Sequence, residues 1–409
     1  MNKLVVFILL SVFVNGLFIV AFNPVSASEL VENSWSAKTS MQYSRSNFGV
    51  VTVDGKIYAI GGNTNMGYVA TNECYDPATD MWVTLEPMPT PRMKLAVAEY
   101  QGKIYCMGGV TGGSGHILFE SLDVVEVYDI STNSWSTKSS MPIKTGYQAH
   151  VVDDKFFVVT QNALYVYDPV TDMWTNRTNI PTEGVAFSVM VDDKIIFGSP
   201  LFIQYQEPMP MRIVIYDTKT DKWSEGQTGP DVVYRYPIAA GATTGQYAPK
   251  KVYISACVEI YADDGSFVKL DMVNQVYDPI QDTWSSANAM SLRRKTLSIT
   301  VVDDILYAID GGDPLSDDVA YSAVNEQYVP IGYRSTGYTT PTPSNMVVTS
   351  KPTSTSTSES SKLTTTQLIM VVLTLTVGAT TSLVFYFRKR TKIEKIRGPA
   401  VSTYYFLHS

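Results

Sequence analysis

The side chains most able to do chemistry are ionisable residues that recur once in each of several sequence repeats. They are Arg45, Arg92, Lys144, Glu183, Arg235 and Arg294, where Arg235 is the counterpart in a repeat that carries an insertion. Each precedes the first short apolar run of its repeat, so a ring of repeats would bring all six together. Guanidinium groups hold carboxylates and sulfates through paired hydrogen bonds, and such a ring could therefore grip an acidic ligand. Salt bridges within the ring are an equally open interpretation.

Aromatic residues near these positions could add a stacking surface for a peptide or a sugar. They are Phe48, Tyr147, Phe187, Tyr234 and Tyr236. We expect about half of them to be core residues, because large aromatic side chains also dominate the packing of protein interiors.

Metal and disulfide chemistry has little support. Cys74, Cys106 and Cys257 are too few and too scattered for a disulfide framework or a paired zinc site, so we expect buried free thiols in strands. Carboxylates gather in residues 310–318 and 263–265, but their spacing matches no standard calcium loop. We therefore predict solvated acidic loops, no metal and no cofactor.

Composition and charge narrow the class of protein. The chain has 409 residues, of which 45% are hydrophobic and 17% charged, and its formal net charge is −8. Its 26 tyrosines and 15 phenylalanines favour strands over helices. Because the only dense basic run lies in the last 22 residues, a nucleic-acid-binding surface is not expected.

Two apolar segments predict an exported, membrane-anchored protein. Lys3 precedes an apolar run that ends near small residues, which is typical of a secretory signal peptide, here residues 1–28; an uncleaved anchor is the alternative. Residues 367–387 contain no charge and are long enough to cross a bilayer as one helix. The basic residues 388–409 would then lie in the cytoplasm, and the rest outside the cell. Residues 334–366, rich in Ser, Thr and Pro, predict an extended stalk.

An internal repeat organises residues 29–333. Five eight-residue phrases begin with Tyr-Asp and end with Trp, at residues 75–82, 128–135, 167–174, 216–223 and 277–284. Their spacing is roughly 40 to 60 residues, near the period of about 50 typical of propeller blades with four strands. Pairs of apolar runs precede the phrases, and tight turns such as Asp54-Gly55 join them as hairpins. We count six strand pairs.

The last repeat lacks its tryptophan phrase, whereas the chain begins with an unmatched Trp35 and its neighbours. The fold class we predict is therefore all-β, a six-bladed propeller whose last blade is closed by an N-terminal strand. Closure of this kind would remove a free sheet edge.

The combination of these motifs resembles the kelch family. Three repeats end their second strand in Gly-Gly, at residues 61–62, 108–109 and 311–312, and the Tyr and Trp phrases follow in fixed order. The third to fifth repeats depart from the diglycine pattern, which puts their loops in doubt. In kelch propellers that recognise acidic peptides, arginines at the position of Arg92 contact the ligand. The resemblance therefore supports a ligand site at the channel mouth.

The resemblance also raises enzymatic alternatives. Kelch-like copper oxidases need two histidines, two tyrosines and a cysteine linked to one of the tyrosines. The exported part has only His116 and His150, and we expect His150 to be a packed residue of a strand, so that chemistry is not expected. Some six-bladed kelch propellers are sugar mutarotases, for which Glu183 beside Arg235 would be the acid–base pair. The sequence favours a non-enzymatic recognition or adhesion module for an extracellular protein or glycan, including acidic ones. A sugar mutarotase or epimerase, or a structural subunit of a surface assembly, are the alternatives.

Overall fold

The computed structural model describes residues 30–112, 119–144, 146–182, 184–200, 209–234, 238–262, 266–294, 297–311 and 321–335. All of them belong to the first of two compact units, Met1–Tyr338; the second, Thr339–Ser409, lies outside the described residues. The predicted signal peptide, transmembrane helix, cytoplasmic tail and all but two residues of the predicted stalk also lie outside them. The described part of the chain contains strands and no helix, and so no helix that could cross a membrane.

Four-stranded antiparallel sheets form the first three blades. The first strand of the chain is β1 (Ser34–Lys38). Blade one holds β2 (Gly49–Val53), β3 (Lys56–Ile60), β6 (Asn72–Asp76) and β7 (Met81–Leu85), with the short hairpin β4 (Asn63–Thr64) and β5 (Gly67–Tyr68) between β3 and β6. Blade two holds β8 (Ala96–Tyr100), β9 (Lys103–Met107), β12 (Val125–Asp129) and β13 (Ser134–Lys138), with the hairpin β10 (Val110–Thr111) and β11 (Glu120–Ser121). Blade three holds β14 (Gln148–Val152), β15 (Lys155–Val159), β16 (Ala163–Asp168) and β17 (Met173–Asn179).

Three further blades complete the ring. Blade four holds β18 (Phe187–Val191), β19 (Lys194–Pro200), β20 (Met209–Asp217) and β21 (Lys222–Glu225). Blade five holds β23 (Ala239–Ala242), β24 (Val252–Tyr261), β25 (Phe267–Asp278) and β26 (Thr283–Ala287), preceded by β22 (Asp231–Tyr234). Blade six holds β27 (Ser298–Val302), β28 (Ile305–Ile309), β29 (Asn325–Val329) and β1. The predicted six-bladed all-β propeller is confirmed.

The repeated phrase folds as the turn between the third and fourth strands of a blade. In blade one, Asp76 Oδ1 accepts a hydrogen bond from the Ala78 amide at 2.9 Å, and Tyr75 donates its hydroxyl to Asp80 at 2.6 Å. Trp82 Nε1 donates to the Thr39 carbonyl at 2.8 Å, which ties its blade to the segment before it. The same tyrosine bond recurs at Tyr128, Tyr167, Tyr216 and Tyr277. These aromatic residues therefore serve the fold, as the repetition predicts.

In blade six the outermost strand comes from the beginning of the described chain. β1 pairs antiparallel with β29, and Trp35 stands opposite Tyr328 with ring centroids 5.0 Å apart. Trp35 Nε1 donates to the Asn288 carbonyl at 2.8 Å, as the repeat tryptophans do to their own neighbours. Aromatic pairs of this geometry add about 0.5–1.5 kcal/mol beyond the burial of their area.

Blades four and five share one nine-stranded sheet, which the sequence did not predict. The short strand β22 pairs with β20 on one side and with β24 on the other. β24 and β25 are also longer than their counterparts, so their hairpin continues past the level at which β22 joins it. The fifth repeat is therefore longer in its β24–β25 hairpin, and it is also longer in the connection of residues 243–251 between β23 and β24.

The core lies between blades. Tyr75 of blade one packs 6.0 Å, centroid to centroid, from Tyr307 of blade six, and similar mixed clusters occupy the other blade boundaries. The innermost strands β2, β8, β14, β18, β23 and β27 neighbour one another in that order and return to β2. They enclose the central channel.

Candidate functional site

Two surfaces of the propeller are available to a ligand. The first is the central channel, a cavity of about 550 Å³ lined by the six innermost strands. The second is the side where the innermost strands begin, because the connections into them and the connections between second and third strands all lie there. We call this side the upper face.

Exposed aromatic side chains mark the upper face. Among the described residues, every phenylalanine or tyrosine classed as exposed lies in these connections or beside them, namely Tyr43, Phe119, Tyr147 and Phe267. Tyr147 immediately precedes β14, and Lys144, three residues earlier, is also exposed. An exposed aromatic ring and an exposed cation thus lie three residues apart in the segment that leads into blade three.

Three of the predicted site arginines are buried below this face. Arg45 and Arg92 have 0% exposure and Arg294 has 3%, and each forms an ion pair with a buried glutamate. The pairs are Arg45 with Glu73, Arg92 with Glu126, and Arg294 with Glu326. These pairs agree with the salt-bridge interpretation of the sequence pattern.

The buried pairs hold the connections of the upper face in place. Arg45 donates to the Tyr43 carbonyl at 3.0 Å, and Glu73 accepts from the Gln42 amide at 2.8 Å. In blade two, Arg92 donates to the Thr90 carbonyl at 3.1 Å, and Glu126 accepts from the Thr90 hydroxyl at 2.6 Å. In blades one and two the arginine–glutamate pair therefore clamps the segment that leads into the innermost strand.

Burial also sets the electrostatics of this layer. Loss of hydration lowers the pKa of Arg45 and lowers that of Arg294 to about 10. The neighbouring Asp310 is fully buried, and burial raises its pKa to about 7 although Arg45 acts in the opposite direction. The layer beneath the upper face is thus a low-dielectric region in which unpaired charge is costly.

Arginine, glutamate and diglycine occur together, in blades one, two and six. Gly62 has φ +107°, and a Cβ there would lie 2.7 Å from the Ser46 carbonyl oxygen. Gly61 lies equally close to the Arg92 carbonyl of the next blade, 2.6 Å from a built Cβ. Only glycine fits beside a segment clamped in this way. Tyr165, Val214 and Gln275 replace the glutamate in blades three, four and five, which lack the diglycine as well.

The other predicted site residues do not join these pairs. Lys144 is exposed, whereas Glu183 and Arg235 lie outside the described residues. Of the predicted stacking aromatics, Phe48 is buried under the Arg45 guanidinium at 5.1 Å and Phe187 is buried in the core. Tyr234 donates to Gln275 at 2.5 Å and Tyr236 lies outside the described residues. Among the predicted stacking aromatics that the structure describes, Tyr147 is therefore the exposed one.

Sequence reasoning missed a polar cluster on the channel wall. His150 Nε2 lies 2.7 Å from Ser188 Oγ, and Ser188 Oγ lies 2.8 Å from Gln148 Oε1. Burial lowers the pKa of His150 to about 4, so its ring is neutral at pH 7. Thr52 and Thr300 share a hydroxyl hydrogen bond of 2.9 Å elsewhere on the wall. The sequence offers little indication of this cluster, because Gln148, His150 and Ser188 are not repeated at the same positions of the other blades.

The described residues show no cluster of three or more His, Cys, Asp or Glu that could hold a metal ion. Cys74, Cys106 and Cys257 are buried thiols within strands, as predicted. His116 and the acidic residues 263–265 and 312–318 lie outside the described residues.

Comparison with known proteins points to one family. Residues 44–89 and 91–142 match the Kelch motif. Beta-scruin of Limulus polyphemus is 33% identical over 132 residues, 32% of this chain and 14% of that protein. The influenza virus NS1A-binding protein homolog of Mus musculus is 40% identical over 86 residues, 21% of this chain and 13% of that protein. The chain thus aligns with only a small part of each relative.

A solved structure extends the comparison beyond the first two blades. The structure of YjhT superposes with a TM-score of 0.53 at 17% sequence identity, covering 71% of this chain and 96% of that one. This likeness concerns the fold alone. The motif matches show kelch repeats in residues 44–89 and 91–142, and the ring of six four-stranded blades continues the same β-propeller fold through the described chain.

Proposed function

We propose that this protein is a non-enzymatic recognition module that binds a protein partner through the upper face of its propeller. We further propose that it acts outside the cell, exported by residues 1–28 and held by residues 367–387 as a transmembrane helix on the stalk 334–366. The propeller supports the first proposal, and the hydropathy of the terminal segments supports the second.

The exposed aromatic residues of the upper face are the observation that carries the recognition role. Tyr43, Phe119, Tyr147 and Phe267 come from four different blades yet open onto one side of the ring. Tyrosine and other aromatic residues supply much of the binding energy in protein interfaces, because they bury a large rigid surface with little loss of conformational entropy. The clamped segments beneath them would reduce the entropy lost on binding still further.

A preference for acidic partners now depends mainly on Lys144. Ligand contact by Arg45, Arg92 and Arg294 stays a prediction, and it would require each to leave a buried glutamate. Removing one partner from such a pair costs about 3–5 kcal/mol, more than a single new contact returns. We therefore place the cationic contact at Lys144, next to Tyr147, and leave the three buried arginines to the framework.

Two alternatives have less support. A sugar mutarotase would depend on Glu183 and Arg235, which both lie outside the described residues. A structural subunit would use the sides of the blades, whereas the exposed aromatic residues belong to the upper face. One relative, the influenza virus NS1A-binding protein homolog of Mus musculus, is named for the binding of a viral protein, and protein binding is the property we carry over as a proposal.

A binding comparison tests the proposed surface. Purified protein would be screened against a panel of extracellular proteins, and any hit repeated with Tyr147→Ala, Lys144→Ala and the control Ile280→Ala. Ile280 is exposed in the turn between the third and fourth strands, on the opposite side of the ring. We expect at least tenfold weaker binding for Tyr147→Ala and unchanged binding for Ile280→Ala. Equal loss in the control, or none in either upper-face variant, would contradict the proposal.

A separate experiment tests the topology. A tag inserted after residue 333 should be labelled by an antibody on intact cells, whereas a tag after residue 409 should require permeabilisation. The opposite pattern, or labelling of both only after permeabilisation, would reject display outside the cell while leaving the recognition proposal to its own test.

A further inference from the structure

The wall of the central channel alternates between polar and apolar side chains around the ring. One polar patch lies where β14 meets β18 and consists of Gln148, His150 and Ser188. A second polar patch lies where β27 meets β2 and consists of Thr300 and Thr52. In the ring order of the innermost strands these two boundaries are opposite one another. A ligand in the channel would therefore meet hydrogen-bonding groups on two facing sides.

The first patch has hydrogen-bonding capacity to spare. The hydrogen bonds among the described residues use His150 Nε2 and Gln148 Oε1, and none of them uses His150 Nδ1 or the Gln148 amide nitrogen. Burial lowers the pKa of His150 to about 4, so the patch is uncharged at neutral pH. It can donate and accept hydrogen bonds without attracting ions.

The second patch behaves in the same way. One of the hydroxyls of Thr52 and Thr300 donates to the other across 2.9 Å, and the accepting hydroxyl keeps its own hydrogen for a further partner. Both side chains are only partly buried at the wall. A ligand hydroxyl could therefore add to this pair without displacing it.

The remaining walls, between the two patches, are small and apolar. They come from β8 and β23 and include Val97, Ala98, Ala240 and Ala242. Glu99 is the one carboxylate among the described lining residues, and its Oε1 accepts from the Gly102 amide at 2.7 Å. The described lining contains no lysine or arginine. Two polar sides and two apolar sides thus face the ligand.

We propose that the central channel binds one uncharged pyranose residue, free or at the end of a glycan. A pyranose ring carries hydroxyls around its edge and C–H groups on its faces, which matches facing polar patches separated by small apolar walls. The cavity of about 550 Å³ is within the range of about 300–1,000 Å³ usual for small-molecule sites. This site goes beyond protein recognition at the upper face and does not depend on it.

The experiment is saturation-transfer NMR with the full-length protein and defined probes. The probes are the methyl glycosides of glucose, galactose, mannose and N-acetylglucosamine, with glucuronic acid as the charged comparison. Variants Ser188→Ala and Thr300→Val each remove one hydroxyl with little change of shape. Thr137→Val makes the latter change at an exposed position of the outer strand β13 and is the matched control.

We expect at least one neutral glycoside to give saturation transfer, with glucuronic acid giving little. Its affinity should fall at least tenfold in both Ser188→Ala and Thr300→Val, and remain unchanged in Thr137→Val. The proposal is overturned if none of the neutral glycosides binds, or if binding survives both channel variants. Because none of these substitutions touches Tyr147 or Lys144, partner binding at the upper face should persist in all of them, which separates the two proposals.

Discussion

The buried pair of Arg92 and Glu126 gives the sharpest test of the framework. Arg92 is fully buried and donates to the glutamate, to the Thr90 carbonyl at 3.1 Å and to the Cys106 carbonyl at 3.0 Å. Arg92→Met would keep much of the side-chain volume but leave a buried carboxylate without its cation. Breaking such a pair from one side costs about 3–5 kcal/mol.

Removing both charges should cost less than removing one. In the double variant Arg92→Met, Glu126→Leu no buried ion remains, and the main losses are the Arg92 bonds to the Thr90 and Cys106 carbonyls and the Glu126 bond from the Thr90 hydroxyl. At about 1 kcal/mol for each lost hydrogen bond, the double variant should be destabilised by about 3 kcal/mol. It should therefore be up to about 2 kcal/mol more stable than Arg92→Met.

Urea unfolding followed by circular dichroism and tryptophan fluorescence measures both free energies of unfolding. Coincident transitions in the two signals would justify two-state fitting. A loss below about 1 kcal/mol for Arg92→Met would refute the clamp, since surface ion pairs contribute no more than that. A double variant that is less stable than the single one would refute the argument from the unpaired charge.

Three further outcomes follow from the same structure. Gly62→Ala should lower the free energy of unfolding by more than the about 1–2 kcal/mol that a left-handed backbone conformation alone costs, because a Cβ would lie 2.7 Å from the Ser46 carbonyl oxygen. Gly55→Ala is the control, since Gly55 has φ +74° and a Cβ there would have no atom within 4 Å. Equal losses in the two variants would contradict the close packing of blades. The pKa of His150 is lowered to about 4 in the folded state, so its contribution to stability is present above pH 6.5 and is lost as pH falls towards 4, by up to about 3 kcal/mol. Urea unfolding at pH 7 and pH 4.5 should show a smaller acid loss for His150→Gln, and an unchanged loss would be the contrary result. All three cysteines are buried thiols, so a thiol reagent should label none in the native protein and all three in urea; rapid native labelling would contradict their burial.

The blades were predictable from sequence because each is encoded locally. Hairpin turns such as Asp54-Gly55 and the Tyr75 to Trp82 phrase depend on neighbours in the chain, and Asp54 adopts the expected positive φ of 48°. Recurrence of the same residue in several repeats then distinguishes residues that serve the fold from residues that could serve a single site. The strand count and the structural role of the repeated aromatic residues follow from these local patterns.

The orientation of the arginines was not predictable from their own spacing. Placement before an innermost strand is compatible with a side chain that points into the channel mouth or below it. The orientation of the arginine side chain is decided by a glutamate in a different strand, two residues before the repeat tyrosine, as with Glu73 and Tyr75. Comparing blades for joint presence of arginine, glutamate and diglycine would have revealed the pairing.

The channel wall and the shared sheet depend on contacts that no repeat encodes. His150 and Ser188 belong to different blades and meet only because the ring closes, and neither has a counterpart elsewhere. β22 follows an irregular stretch of chain and pairs with β20 of blade four and with β24 of blade five. Its pairing with β24 is possible because β24 is long. Such features arise from tertiary packing, which overrides local propensity.

Site-specific photocrosslinking on living cells tests the central claim most directly. A photoreactive phenylalanine analogue would replace Tyr147 or Phe119 on the upper face, and Met81 or Ile280 on the opposite face, one position at a time. The account predicts one protein partner crosslinked from both upper-face positions, and lost when Lys144→Ala is added to the Phe119 probe. Crosslinks to a partner only from Met81 or Ile280 would contradict recognition through the upper face.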